Sequence, residues 1–281
     1  MSIAADPVAA AEAKAKSSSF YAGMKVLPKD ARNAMFAIYA FCRAVDDIAD
    51  EEGIDPAVRR ADLNQWRIDI AALYNGGDPG RAAFLAPAVQ RFGLRQPDFQ
   101  AVIDGMQMDV DETIVAPDFA KLDLYCDRVA SAVGRLSIKA FGMDEGPGDE
   151  LAHHLGRALQ ITNILRDLDE DAGIGRLYMA REWLERAGAT THDPVSIVAD
   201  PALDAAARIG AALAHQHYAE ADRIMATRPR GRLVAPRLMS AVYGAILRRM
   251  EQVGWATPRT RVKLGKGEML AIALKKGLLG R

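Results

Sequence analysis

The 281 residues include 36 Lys and Arg against 37 Asp and Glu, a net charge of −1 at pH 7, so overall charge gives no attraction to nucleic acid. Half of the residues are hydrophobic (50%) and 26% are charged, a globular balance that excludes a disordered chain. Two cysteines, Cys42 and Cys126, each sit in an apolar segment, and no run approaches the roughly 20 apolar residues of a spanning helix; a disulfide scaffold and an integral membrane protein are excluded, and a reducing cytoplasm is the expected setting.

The Ala-rich N-terminus contains Asp6, Glu12, Lys14 and Lys16, so it does not read as a secretory signal, and residues 1–16 are expected to be flexible. Over 29–50, Ala34, Met35, Ile38, Phe41, Cys42 and Val45 recur at steps of three and four, a helical period with Asp30 as N-cap and Gly53 closing the segment. Asp55-Pro56 pairs an N-cap with proline at the first helical position and opens a helix through Tyr74. Gly76-Gly77-Asp78-Pro79 is a turn. Further helices are predicted over 80–92, 97–114, 118–142, 148–172, 201–227, 233–253 and 267–279, with 173–200 irregular apart from one short helix. Strand alternation is nearly absent, and there is no fixed repeat and no low-complexity linker. The expected fold is all-α, one helical bundle domain spanning 1–281.

Two acidic clusters bear the chemistry. In Arg43-Ala-Val-Asp46-Asp47-Ile-Ala-Asp50, Asp46 and Asp50 stand four apart and share one helix face, where like charges repel unless a cation sits between them. A sparse pair of hard oxygen ligands suits Mg²⁺, which takes its remaining ligands from water and substrate phosphates. A solvated acidic helix end is the competing reading. In Gln160-Ile-Thr-Asn163-Ile-Leu-Arg166-Asp167-Leu-Asp169-Glu170-Asp171, a second pair, Asp167 and Asp171, follows Gln160 and Asn163 on the same face. A polar stripe on an otherwise apolar helix is hard to explain by exposure, and two such pairs facing each other across a bundle would hold a diphosphate through several Mg²⁺ ions. Arg43 and Arg166, each beside its cluster, would either pair with phosphate oxygens or orient the aspartates.

These stretches, with SSSFYAGMKVLP (17–28), AIYAFCRAVDDIAD (37–50) and YCDRVASAVGRL (125–136), resemble the squalene/phytoene synthase family of trans-isoprenyl diphosphate synthases over about 17–255. The resemblance implies a single helical bundle of the isoprenoid synthase type around a large apolar cavity. It implies Mg²⁺ held by Asp46, Asp50, Asp167 and Asp171, with Asn163 as a further ligand. It implies diphosphate contacts from Ser17, Ser19, Arg43 and Arg166, a reaction centre bordered by Tyr125, Gln160 and Asn163, and Arg176 and Tyr178 on the flap that follows the second pair. Within the family, the SSSFYAGMKVLP opening and the basic tail are most similar to bacterial members of the hopanoid route. The implied reaction joins two farnesyl diphosphates head to head into presqualene diphosphate, without NADPH, for a downstream squalene-forming enzyme. Phe20, Phe36 and Tyr39 are aromatic candidates for steadying an allylic cation and equally good core residues. Met35, Phe36 and Tyr39 are bulky enough to limit the pocket to a C15 chain, whereas Gly156 and Gln160 leave more room.

Three rival readings remain at the level of sequence. Phytoene, dehydrosqualene or complete squalene synthases share this site, although no G-x-G-x-x-G fingerprint for a nicotinamide is present. A chain-elongating synthase would repeat DDxxD late in the chain, and a non-catalytic assembly protein need not keep all four aspartates. Weaker signals include Asp109 on an acidic helix, which either reaches the first pair or is solvated. His215 and His217, two apart, diverge on a helix, and His153, His154 and His192 show no ligand spacing. From Arg259 to Arg281 the chain has seven Lys or Arg against Glu268 alone, a tail suited either to a membrane interface at the inner face or to packing on the bundle.

Overall fold

The computed structural model describes residues 24–51 and 53–265, together with 8, 9, 12, 267–269, 271, 272 and 274. Ser17, Ser19 and Phe20, nearly all of 1–16, and most of the tail beyond 265 lie outside the described residues.

Helical periodicity decides the architecture. In chain order come α1 (Lys29–Ala49), α2 (Pro56–Asn75), a 3₁₀ turn (Gly80–Leu85), α3 (Ala86–Phe92), α4 (Gln96–Asp111), α5 (Phe119–Cys126), a π turn (Asp127–Ser131), α6 (Ala132–Ala140), α7 (Glu145–Arg166), α8 (Leu168–Gly173), α9 (Arg181–Arg186), α10 (Pro194–Ile197), α11 (Ala202–Ala226) and α12 (Val234–Val253). No strand occurs among the described residues; Val115 and Leu177 form one isolated parallel bridge. The apolar faces meet in a contiguous cluster running from Met24 to Trp255. Phe41 of α1 is fully buried edge-on against Trp66 of α2 (5.6 Å) and Phe99 of α4 (5.0 Å), which locks these three helices together.

Helix boundaries follow local chemistry. The Asp55 carboxylate accepts from Ala57 N–H at 2.7 Å, and Gly76 adopts φ 75° to end α2, as the Asp-Pro and Gly-Gly signals predict. Asp30 is not the cap of α1; Pro28 holds that position, and Asp30 lies in the first turn, paired with Arg91 at 2.6 Å. The helix expected over 97–114 stops at Asp111, and the backbone of Ile114 and Ala116 bonds instead to Leu177, with Ala116 at φ 43°. The helix expected over 118–142 contains the π turn, and the helix expected over 148–172 starts at Glu145 and breaks at Asp167 (φ −103°). The stretch 173–200 contains two short helices rather than one.

A partly buried ionic chain fixes α4, the π turn and α7. Asp98 accepts from Arg95 (2.8 Å) and Arg135 (2.6 Å), Arg135 reaches Asp127, and Arg157 pairs with both Asp127 and Asp123. Beside it, α7 presses directly on the π turn. A Cβ on Gly156 would lie 2.6 Å from Ser131 Cα, so the missing side chain lets the two backbones approach, and the residue also lines the cavity. Gly156→Ala is therefore expected to lower unfolding free energy by about 1–3 kcal/mol. Urea denaturation measures this, and an unchanged midpoint would show that the two backbones do not meet there.

Candidate active site

A cavity of about 400 Å³ opens between α1, α6 and α7 and is walled largely by apolar side chains, including Met35, Ile38, Val133, Ile138, Leu155, Leu159 and Met239. This size is within the range of small-molecule sites. Its polar contribution is confined to a few groups, chiefly Arg43 and Asp46 from α1 and Gln160 and Asn163 from α7, with Tyr39 beside them. Asn163 Oδ1 is buried without a hydrogen-bond partner among the described residues. An orphaned carbonyl oxygen costs about 1–3 kcal/mol, so its retention beside carboxylates fits a hard cation ligand.

The first acidic pair closes α1. Asp50 is the C-terminal cap, its N–H bonded to Asp46 O at 3.0 Å, which stacks the two carboxylates on one side. Arg43 pairs with Asp46 and with Asp47. Burial, then the charge of Asp50, pushes the Asp46 carboxyl up to about 6.

The second pair brackets the break between α7 and α8. Arg166 grips Asp167 through two bonds of 2.8 and 2.7 Å, and Arg261 adds a third at 2.7 Å. Burial works against ionisation of Asp167, but the hydrogen bonds from Arg166 and Arg261 outweigh it and hold that carboxyl below the ordinary range. Asp171 makes no ion pair among the described residues, and burial, then the charge of Asp167, pushes it up to about 7. The two pairs converge through Arg176. Its Nη1 donates to Asp50 at 3.0 Å, and its backbone N–H donates to Asp171 O at 2.8 Å.

Between the pairs lies Asp109, buried at the end of α4. It accepts from Tyr178 OH at 2.6 Å and Tyr125 OH at 3.1 Å, and the two phenol rings stack at 4.9 Å. Burial raises the Asp109 carboxyl above its usual value despite these donors. The solvated alternative for Asp109 is excluded. Tyr178 arrives there because Leu177 bonds back to Ile114 and Ala116.

The sequence-predicted residues thus divide clearly. Arg43, Asp46, Gln160 and Asn163 line the cavity with Tyr39, Arg176 links Asp50 to the backbone of Asp171, and Arg166 holds Asp167. Tyr125 and Tyr178 stand behind Asp109 instead of on the cavity wall. Phe36 is buried at 2% exposure and does not line the cavity, so it neither measures chain length nor faces a cation there. Arg259 and Arg261 come from the basic tail, yet they pair with Asp169 and with Asp167 and Glu170. Nothing in local spacing foretold that return.

An all-helical bundle whose apolar cavity opens under two facing carboxylate clusters is the architecture of an isoprenoid synthase. Comparison narrows the class. The squalene/phytoene synthase family model matches residues 13–268. The chain is 58% identical over 261 residues to the presqualene diphosphate synthase of Zymomonas mobilis, covering 93% of this chain and 89% of that one. It is 52% identical over 281 residues to the presqualene diphosphate synthase of Rhodopseudomonas palustris, covering 99% and 100%. A crystal structure of a dehydrosqualene synthase in complex with ligand superposes with a TM-score of 0.78 at 26% identity, covering 97% of this chain and 96% of that chain. The chain belongs to the squalene/phytoene synthase family.

The raised carboxyls give a signed prediction. Asp46 and Asp171 hold protons in the native state above their unfolded value of 3.8, so the native state binds more protons and metal-free stability falls as pH rises from about 4 to about 7. In EDTA at about pH 8, Asp171→Asn is expected to melt higher than wild type, by on the order of 1 kcal/mol once solvent screening is allowed for. A lower Tm for the variant would contradict the excess of negative charge.

Proposed function

We propose that this chain is a Mg²⁺-dependent prenyltransferase that condenses two farnesyl diphosphates to presqualene diphosphate. The observation that supports this best is the convergence of two aspartate pairs and the orphaned Asn163 oxygen on the mouth of an apolar cavity. The similarity, above half identity, to proteins named presqualene diphosphate synthase supports the particular product. The whole chain is taken as one catalytic unit.

In this reading Asp46, Asp50, Asn163, Asp167 and Asp171 hold the metal ions. Bound Mg²⁺ supplies Lewis-acid charge to neutralise the departing diphosphate. Arg43, Arg166 and Arg176, now paired with aspartates, turn guanidinium hydrogens toward phosphate oxygens, helped by Ser17 and Ser19. Phe20 and Gln160 contact the substrate. The apolar wall keeps water from the allylic cation, and the Tyr39 ring contributes about 1–2 kcal/mol of cation–π attraction. Tyr178 and Tyr125 border the reacting centre through Asp109. The proton lost on cyclopropane closure passes to the released diphosphate or, through the Tyr125 hydroxyl, to Asp109. We place the protein in the cytoplasm, its remaining basic tail touching the inner membrane face and its product passing to a squalene-forming enzyme. Among the described residues, no helix is long and apolar enough to cross a membrane.

Asp50→Asn and Asp171→Asn are each expected to lower kcat by about 10²–10³-fold while circular dichroism stays helical. Turnover within a few-fold of wild type in both would remove the metal assignment. Purified protein with farnesyl diphosphate and Mg²⁺ is expected to accumulate presqualene diphosphate, with no squalene when NADPH is added. Squalene formed with NADPH would identify a complete squalene synthase. Phytoene formed from geranylgeranyl diphosphate at a higher kcat/KM would identify a carotenoid enzyme.

A further inference from the structure

Three histidines that share no sequence spacing meet on the bundle surface. His153 and His154 lie on α7 and His217 on α11, sixty-three residues beyond His154. The Nδ1 atoms of His154 and His217 are 3.0 Å apart, and one ligand nitrogen from each of the three rings falls within 4.8 Å of the others. His153 is exposed, and the other two are half-buried.

Imidazoles gathered this way need something shared between them. The contact between His154 and His217 needs one ring N–H donating to a bare nitrogen of the other, and among the described residues His153 makes no hydrogen bond to either ring. Protonating all three would stack like charges. Neutral imidazole is the ligand form. Arg157 and Arg223 lie near the cluster, but each is paired with carboxylates, Arg157 with Asp123 and Asp127 and Arg223 with Glu220, and Glu150 adds negative charge beside His154.

We propose that His153, His154 and His217 form a transition-metal site, of the class that takes Zn²⁺, bridging α7 to α11 on the outside of the bundle. A Zn–N bond of about 2.0–2.1 Å in tetrahedral geometry places ligand nitrogens about 3.3 Å apart, close to the distance already present in the His154–His217 pair. The exposed His153 ring closes the set by rotation about its side-chain bonds, and water takes the fourth position. Imidazole nitrogen suits zinc, nickel or copper, whereas the carboxylates at the cavity mouth suit Mg²⁺, so the two sites select different ions. The assignment stands independently of the proposed reaction. Its role is structural: α7 presents Gln160 and Asn163 to the cavity and leads into Asp167, and the metal would fasten that helix to α11.

Tag-free protein is stripped with EDTA, dialysed into excess Mg²⁺ and titrated with Zn²⁺ by calorimetry, with Co²⁺ absorption as a second readout. Expected are one Zn²⁺ per chain that Mg²⁺ does not displace, d–d bands with Co²⁺, and a raised Tm. His154→Ala and His217→Ala should each weaken binding by about 10–100-fold or more, and Asp171→Asn should not. His153→Ala, at an exposed position on which the fold does not depend, must show the same loss. No saturable uptake, or uptake unchanged in the variant lacking all three imidazoles, would overturn the site.

Discussion

Concentrated negative charge at the mouth of an apolar cavity is the constraint on which the rest of the molecule depends. Asp46, Asp50, Asp109, Asp167 and Asp171 are brought together from α1, α4 and the junction of α7 and α8. Left alone, such a group would drive its own helices apart. The protein answers with guanidinium groups: Arg43, Arg166, Arg176 and Arg261 each pair with one of these acids. The balance is incomplete, because Asp46 and Asp171 still sit well above the ordinary carboxylate range. That deficit of positive charge supports the proposed binding of metal ions and of the anion they bring with them.

Rigidity behind the mouth keeps that deficit in place. Gly156 lets α7 rest on the π turn, and the Arg157 and Arg135 ion pairs tie the same turn to α4 and α5. π turns interrupt a helix at a cost and recur at functional sites. Here the interruption sits where α7, which presents Gln160 and Asn163, crosses the helix that presents Tyr125. Tyr125 and Tyr178 then support Asp109 from behind, so the carboxylate that lies between the two pairs cannot swing away. Positioning and charge are therefore one device.

Much of this was legible in the sequence because it is local. The i, i+4 aspartates and the Gln160-Asn163-Asp167 stripe are helical facts, and the helices formed. Asp109 was legible only in part: it continues the buried stripe Val102-Met106, so an acid on an apolar face was visible, but its two tyrosine partners lie 16 and 69 residues away. The returns of Arg261 to Asp167, of Leu177 to Ile114 and of His217 to His154 depend on tertiary packing, which no window of spacing contains. Phe36 failed for a related reason. Its place on α1 matched the ruler, but the helix turns it into the core.

We propose that the two aspartate pairs act as one metal–diphosphate site. Mn²⁺ binding followed by electron paramagnetic resonance, with and without an unreactive thio analogue of farnesyl diphosphate, tests it most directly. Several Mn²⁺ ions should bind tightly only when the analogue is present, and Asp50→Asn or Asp171→Asn should each abolish the whole set. Equal Mn²⁺ binding without the analogue, or loss of only part of the set in each variant, would show two independent sites and contradict the claim.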